Sequence, residues 1–287
     1  MASYRKNSFT VMAVAGVLLA VGGIGPRWDN FGLSSHVGFD LVGKANAAEP
    51  KGPSVSKRSF IDTQAFRLMR QMGTYLGAAR EFSFRANVTY DVVFRNIHKI
   101  QYAGIANVAV RRPNKLLVKY SGEERQTRVF YDGRTFTILD PSRMVYTKTK
   151  APPTIDAAVD RIFAQHGFSV PIADFVYEDP YRVLMENVES GFVVGRTWVN
   201  GKPVFHLAFT QKEIDWQIWI EEGSRPLPRK LLITYKNEPG SPQYTAILSG
   251  WDLQPRLSNS FAEFHPPIGS DEIQFLKTTN TTVTSPK

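Results

Sequence analysis

FRANVTYDVVFR, residues 84–95, sets the architecture. Phe84, Ala86, Val88, Tyr90, Val92 and Phe94 fall on one side and Arg85, Asn87, Thr89, Asp91 and Arg95 on the other. A period of two with one apolar face is the pattern of a half-buried antiparallel strand. Upstream the period is different. Ile61, Ala65, Leu68, Met69, Met72, Leu76 and Ala79 recur every three to four residues, so 61–79 reads as an amphipathic helix. Downstream, Ile100, Tyr102, Ile105, Val108 and Val110 extend the sheet until Pro113 interrupts pairing, and Leu116, Val118 and Tyr120 resume it.

Asp132-Gly133 and Asn200-Gly201 mark hairpins, because both central residues of a type I′ turn take positive φ. Strands flank them at 129–131 and 135–138, and at 193–199 and 204–209. Further strands are expected at 216–220, 230–235, 244–251 and 261–264. One helical insert breaks the series. Thr154 caps a helix through Ile155, Ala158, Val159, Ile162 and Phe163 that stops at Gly167, and Pro171 opens a short second helix ending before Pro180. A sheet of nine or more strands must curl, and the 61–79 helix fills its concavity while the insert caps it. The expected fold class is therefore mainly β with helices: a curled antiparallel sheet, or incomplete barrel, wrapped around an N-terminal helix with a mid-chain helical lid.

The 287 residues are 43% hydrophobic with a net charge of +9, values of a folded chain, and contain no cysteine. That excludes disulfides, Cys-ligated metals and thiol nucleophiles. Arg5-Lys6, an apolar run from Phe9 to Ile24 and Ala45-Asn46-Ala47 read as an export signal over 1–47, cleaved before Ala48 or retained as an anchor. Residues 48–60 form a polar lead, 61–276 one domain, and 277–287 a Thr-rich tail expected to be disordered. Outside the cytoplasm a basic protein meets lipid head groups and acidic glycans, not nucleic acid. The charge is not concentrated in any run of sequence.

Arg111-Arg112-Pro113, Tyr131-Asp132-Gly133-Arg134-Thr135-Phe136-Thr137, Thr154-Ile155-Asp156, Pro171-Ile172-Ala173-Asp174, Asp179-Pro180-Tyr181, His206-Leu207-Ala208-Phe209, Trp216-Gln217-Ile218-Trp219-Ile220 and Pro226-Leu227-Pro228-Arg229-Lys230 occur in that order. In this ordered set the chain resembles a family of bacterial predicted periplasmic proteins known as a domain of unknown function, with the LolA-like fold of periplasmic lipoprotein carriers. The resemblance implies a helical lid over an apolar cavity and lipid binding.

The candidate cavity residues are Phe84, Val88, Tyr90, Tyr102, Leu116, Val118, Trp216 and Ile218, and the candidate head-group contacts are Arg111, Arg112 and Arg229. Trp216 and Ile218 face one side of their strand and Trp219 the other. His206 lies in a strand with no second ligand at metal spacing, and Asp156 and Asp174 sit in first helical turns where a negative charge is stabilised. Asp160 follows Asp156 by one turn, and Asp179 comes just before Pro180. No nucleophile elbow, phosphate loop or dinucleotide fingerprint is present. The leading reading is a non-catalytic periplasmic protein, monomeric and without cofactor or metal, that takes a lipid, a lipoprotein acyl chain or another amphiphile on the concave face of its sheet. The alternatives are an envelope sensor or accessory module that contacts another envelope protein, and a hydrolase using His206 or the lid carboxylates.

Overall fold

The first described residue, Asp62, caps a helix: its carboxylate accepts the backbone N–H of Gln64 at 2.9 Å, satisfying one of the free donors that begin any helix. That helix, α1 (Thr63–Gly77), buries Ala65, Met69, Met72, Gly73 and Leu76 along one stripe. The computed structural model describes residues 62–94, 98–166 and 170–274, so the signal segment, polar lead and tail expected from sequence lie outside the described residues.

From α1 the chain runs through six strands, β1 (Glu81–Phe94), β2 (His98–Arg111), β3 (Lys115–Gly122), β4 (Gln126–Tyr131), β5 (Thr135–Asp140) and β6 (Val145–Lys150). The helical insert comes next, as α2 (Ile155–His166), a 3-10 helix (Pro171–Phe175) and α3 (Pro180–Met185). The strands resume with β7 (Ser190–Val199), β8 (Lys202–Thr210), β9 (Ile214–Glu221) and β10 (Pro228–Tyr235). β11 (Gln243–Asp252) and the two-residue β12 (Asp271–Glu272) complete one sheet of order β12-β6-β5-β4-β3-β2-β1-β11-β10-β9-β8-β7. All neighbours are antiparallel except β12, which runs parallel to β6. Inward side chains from β1–β5 and from β8–β11 join one core with α1, α2 and the 3-10 helix. A flat sheet of this width has no common interior, so the sheet is curled.

The register aligns this interior in rows. Val129, Val118, Val108 and Phe84 are successive partners, as are Tyr131, Leu116, Val110 and Phe82. Nearer the other end, Tyr102, Tyr90, Tyr244, Ile233, Trp216 and Phe209 form a third row. Helix α1 enters beside β7, where Asp62 N–H donates to the Gly191 carbonyl at 2.8 Å, and its C-terminal carbonyls lie against Arg112 at the end of β2. It therefore crosses the concavity.

Several expectations need correction. The inward alternation of β1 holds through Val92, which is partly buried against the core, but Phe94 is 51% exposed, and Asp91 is buried because it accepts from Gln101 and from the Gln243 N–H and pairs with Lys99. Asn200 (φ 48°) and Gly201 (φ 72°) make the expected turn, but of the other pair only Gly133 has positive φ. There the Asp132 carboxylate builds the turn by accepting from Arg134 N–H, Thr135 N–H and the Thr135 hydroxyl. Pro180 starts helix α3 at its first position, with Asp179 as cap, instead of closing the insert. Residues 261–264 are not a strand. They belong to a proline-bounded segment on the outer face, where Phe264 packs on Phe130 and Tyr146.

Candidate functional site

Helix α2 and the 3-10 helix lie over β2–β5, and the seat between them is incompletely filled. An apolar cavity of about 100 Å³ remains. Its sheet wall is Val108, Leu116, Val118, Val129, Phe136 and Ile138, and its roof is Val159, Ile162, Phe163, Val170, Ile172, Ala173 and Val176. No polar side chain lines it. Along β4 the next inward residue after Val129 is Thr127, whose buried hydroxyl has no hydrogen-bond partner. Trp216 likewise buries its indole N–H without a partner.

Of the residues singled out from sequence, Leu116 and Val118 line this cavity. Phe84 is the next member of Val118's row and stacks on Trp251 at 4.5 Å. Val88 and Ile218 belong to one row and Tyr90, Tyr102 and Trp216 to another, both away from the cavity. Trp216 stacks on Phe209 at 4.4 Å. Tyr90 donates to Glu124 at 2.6 Å, and burial with that carboxylate holds its hydroxyl protonated far above the usual phenol range. The roof residues and Val108, Val129, Phe136 and Ile138 were not among the sequence candidates, although Val159, Ile162 and Phe163 stood out by helical periodicity.

The three arginines are taken up by the protein's own acceptors. Arg111 donates to Glu81 at 2.6 Å and to the Leu257 carbonyl at 2.9 Å, fastening the outer segment to β2. Arg229 pairs with Glu221. Arg112 is the inward one. Its guanidinium donates to the carbonyls of Leu76 (3.0 Å), Ala79 (2.6 Å) and Tyr177 (2.5 Å), joining β2, the C-terminus of α1 and the lid segment. Burial lowers its pKa to about 10, and Asp156 and Glu178 oppose that fall.

The lid carboxylates serve local structure. Asp156 accepts the Glu178 N–H at 3.1 Å, and Asp160 accepts the Tyr177 hydroxyl at 2.7 Å. Burial raises the pKa of Asp156. His206 lies on the outer face, stacked on Trp219 at 4.1 Å and hydrogen-bonded to Gln217 at 2.8 Å, with Lys230 on Trp219 as well. No group of three or more potential metal ligands occurs among the described residues, and no described helix is long and apolar enough to cross a membrane.

The molecule is thus a curled antiparallel half-barrel closed by helices over an apolar interior. The chain belongs to the family described as predicted periplasmic proteins, DUF2092, whose model matches residues 65–276, and it is a periplasmic protein. No curated protein matches it. Among solved structures it is similar to the lipoprotein LppX of Mycobacterium tuberculosis, at 12% identity and TM-score 0.44 over 69% of this chain and 100% of that one. A LolA superfamily protein from Nitrosomonas europaea aligns at 8% identity and TM-score 0.37, over 69% of this chain and 96% of that chain. A lipoprotein-sorting protein domain from Vibrio parahaemolyticus aligns at 8% and 0.30, over 68% and 95%.

Proposed function

We propose that the protein binds the acyl chain of a lipid or lipoprotein between the lid and β2–β5, without catalysing a reaction on it. The observation that carries this reading is the wholly apolar cavity between the sheet and the helical roof. At about 100 Å³ it is smaller than the roughly 150 Å³ engineered cavity that takes up benzene, so a long chain enters only if the roof lifts. The energies permit that. Val159, Ile162, Ile172 and Val176 are the buried aliphatics of the roof, and at about 1.5–3 kcal/mol each their seat amounts to roughly 6–12 kcal/mol. Twelve buried methylenes at about 0.8 kcal/mol supply roughly 10 kcal/mol, enough to replace it. The partnerless Thr127 hydroxyl, one inward position along β4 from Val129, would suit a single polar atom on a ligand that reached beyond the cavity.

The test is displacement of a fluorescent fatty acid, with native mass spectrometry of protein purified from envelope fractions. Val118→Trp fills the cavity, and uptake is expected to vanish while circular dichroism stays native. A wild type that binds no lipid, or a folded Val118→Trp protein that binds as before, refutes the reading. One observation favours an interaction module instead: β7, the last strand of the sheet, bears Phe192 and Trp198, 55% and 69% exposed, and an edge strand with exposed aromatics is the kind to which a partner strand adds. Crosslinking of envelope fractions to a partner through β7 would support it.

A further inference from the structure

The convex face of the sheet carries a feature the sequence does not display as a run. Partner by partner across four adjacent strands, the register aligns Arg128 of β4, Lys119 of β3, Asn107 of β2 and Arg85 of β1. All four are exposed. Lys119 and Arg128 stand directly opposite each other, an arrangement that costs stability because like charges on paired residues repel. Nothing among the described residues relieves it. None of the three cations forms an ion pair or side-chain hydrogen bond there, and no acidic residue lies two places along any of the four strands on the same face. Other cations of the sheet do have a carboxylate partner: Arg111 has Glu81, Lys99 has Asp91 and Arg229 has Glu221. Two like charges set directly opposite each other at a cost to the fold, with no carboxylate beside them to offset it, are a local rule broken in the way functional surfaces break it.

The geometry points to this row as a docking strip for the anionic head groups of a membrane surface. Strands lie about 4.8 Å apart, so the row extends over roughly 14 Å, enough for more than one head group. Beside it runs a shallow groove of about 530 Å³ floored by Asn87, Ile105, Ser121 and Ile247, whose one charged lining residue, Glu123, accepts the Ala103 N–H. None of the exposed large apolar side chains, Phe192 and Trp198 included, lies on this strip. Protein interfaces are anchored by such aromatics, whereas electrostatic adsorption to lipid needs only the charges. The periplasmic location puts the chain beside lipid head groups. Contact through the convex face leaves the lid, on the concave side, free to open, and the strip is independent of whether the cavity takes a lipid.

The test is sedimentation of the full protein with vesicles of phosphatidylcholine alone and of phosphatidylcholine mixed with phosphatidylglycerol, at rising salt. The wild type is expected to prefer the anionic vesicles and to lose that preference as salt shortens the screening length. At about fivefold per cation near the surface, Arg85→Gln, Lys119→Gln and Arg128→Gln combined should weaken binding on the order of a hundredfold. Lys119→Glu separates docking from folding: facing Arg128 it should raise the unfolding midpoint while weakening vesicle binding. Equal binding to both vesicle types, or undiminished binding by the triple variant, overturns the proposal. So does capture of the wild type but not the triple variant by an acidic protein ligand with no vesicle binding, which would assign the row to a protein partner.

Discussion

Arg112→Ala separates two roles for the same side chain. As a head-group contact it would matter to ligand and not to fold; the structure instead aims its guanidinium at three main-chain carbonyls, of Leu76, Ala79 and Tyr177. Leu76 is in the last turn of α1, where a cation also complements the helix dipole, Ala79 lies just past the helix end, and Tyr177 belongs to the segment leading from the lid. The guanidinium also lies over the Phe82 ring at 4.8 Å. Hydrogen bonds to a charged donor contribute about 1.5–3 kcal/mol each, but removing one donor strands its partners together, and breaking a buried charged arrangement costs about 3–5 kcal/mol in total. With a denaturant slope near 2–3 kcal/mol per molar urea, that is a fall in midpoint of about 1–2 M. Arg112→Lys keeps the charge without the forked donors and should recover only part of it. Urea unfolding gives the total, and hydrogen exchange of 155–177 shows whether the lid loosens first. A loss below about 1 kcal/mol, with lipid uptake abolished in a folded protein, would overturn the structural role and restore Arg112 as a ligand contact.

Gly73 lets α3 approach α1. A Cβ there would collide with the Tyr181 Cβ and stand 2.8 Å from its backbone nitrogen, so Gly73→Ala should destabilise by about 1–2 kcal/mol in urea unfolding despite alanine's better helix propensity. Asp156 gives a pH signature. Burial raises its folded-state pKa, so between the ordinary carboxylate value and the raised one the folded protein holds more protons than the unfolded chain, and this group's contribution falls as pH rises through that interval. Asp156→Asn, which keeps an acceptor for the Glu178 N–H, should remove that decline from a series of melts across acidic pH; an unchanged profile would place the burden on another group.

The strand series, α1 and the curl were legible because each is a local periodicity repeated until only one packing is left. What escaped reading was local pattern too weak or misassigned. β6, with sequence VYTKTK, has one buried residue, Thr147, and offers no apolar alternation. Pro180 signals a stop as readily as a start until Asp179 is seen capping Arg182 N–H at 3.0 Å. Phe261 and Phe264 have strand-like composition, but they pack across the outer face, where no free sheet edge accepts their backbone.

The site was less legible, because a cavity is a shortfall of volume between elements distant in sequence, and no single window contains it. Leu116 and Val118 were found from strand alternation; their roof at 159–176 could be called apolar but not placed. The cationic row is a property of pairing in the same sense. Yet both depend on one constraint. A one-residue slip turns every side chain of a strand to the other face, which in β3 would bring Lys119 inside and expose Val118. The cost of burying that ammonium fixes the register. The burial of Val118 against Val108 and Val129 therefore sets Lys119 against Arg128 on the opposite face, so the packing that builds the cavity wall also builds the strip of charge behind it.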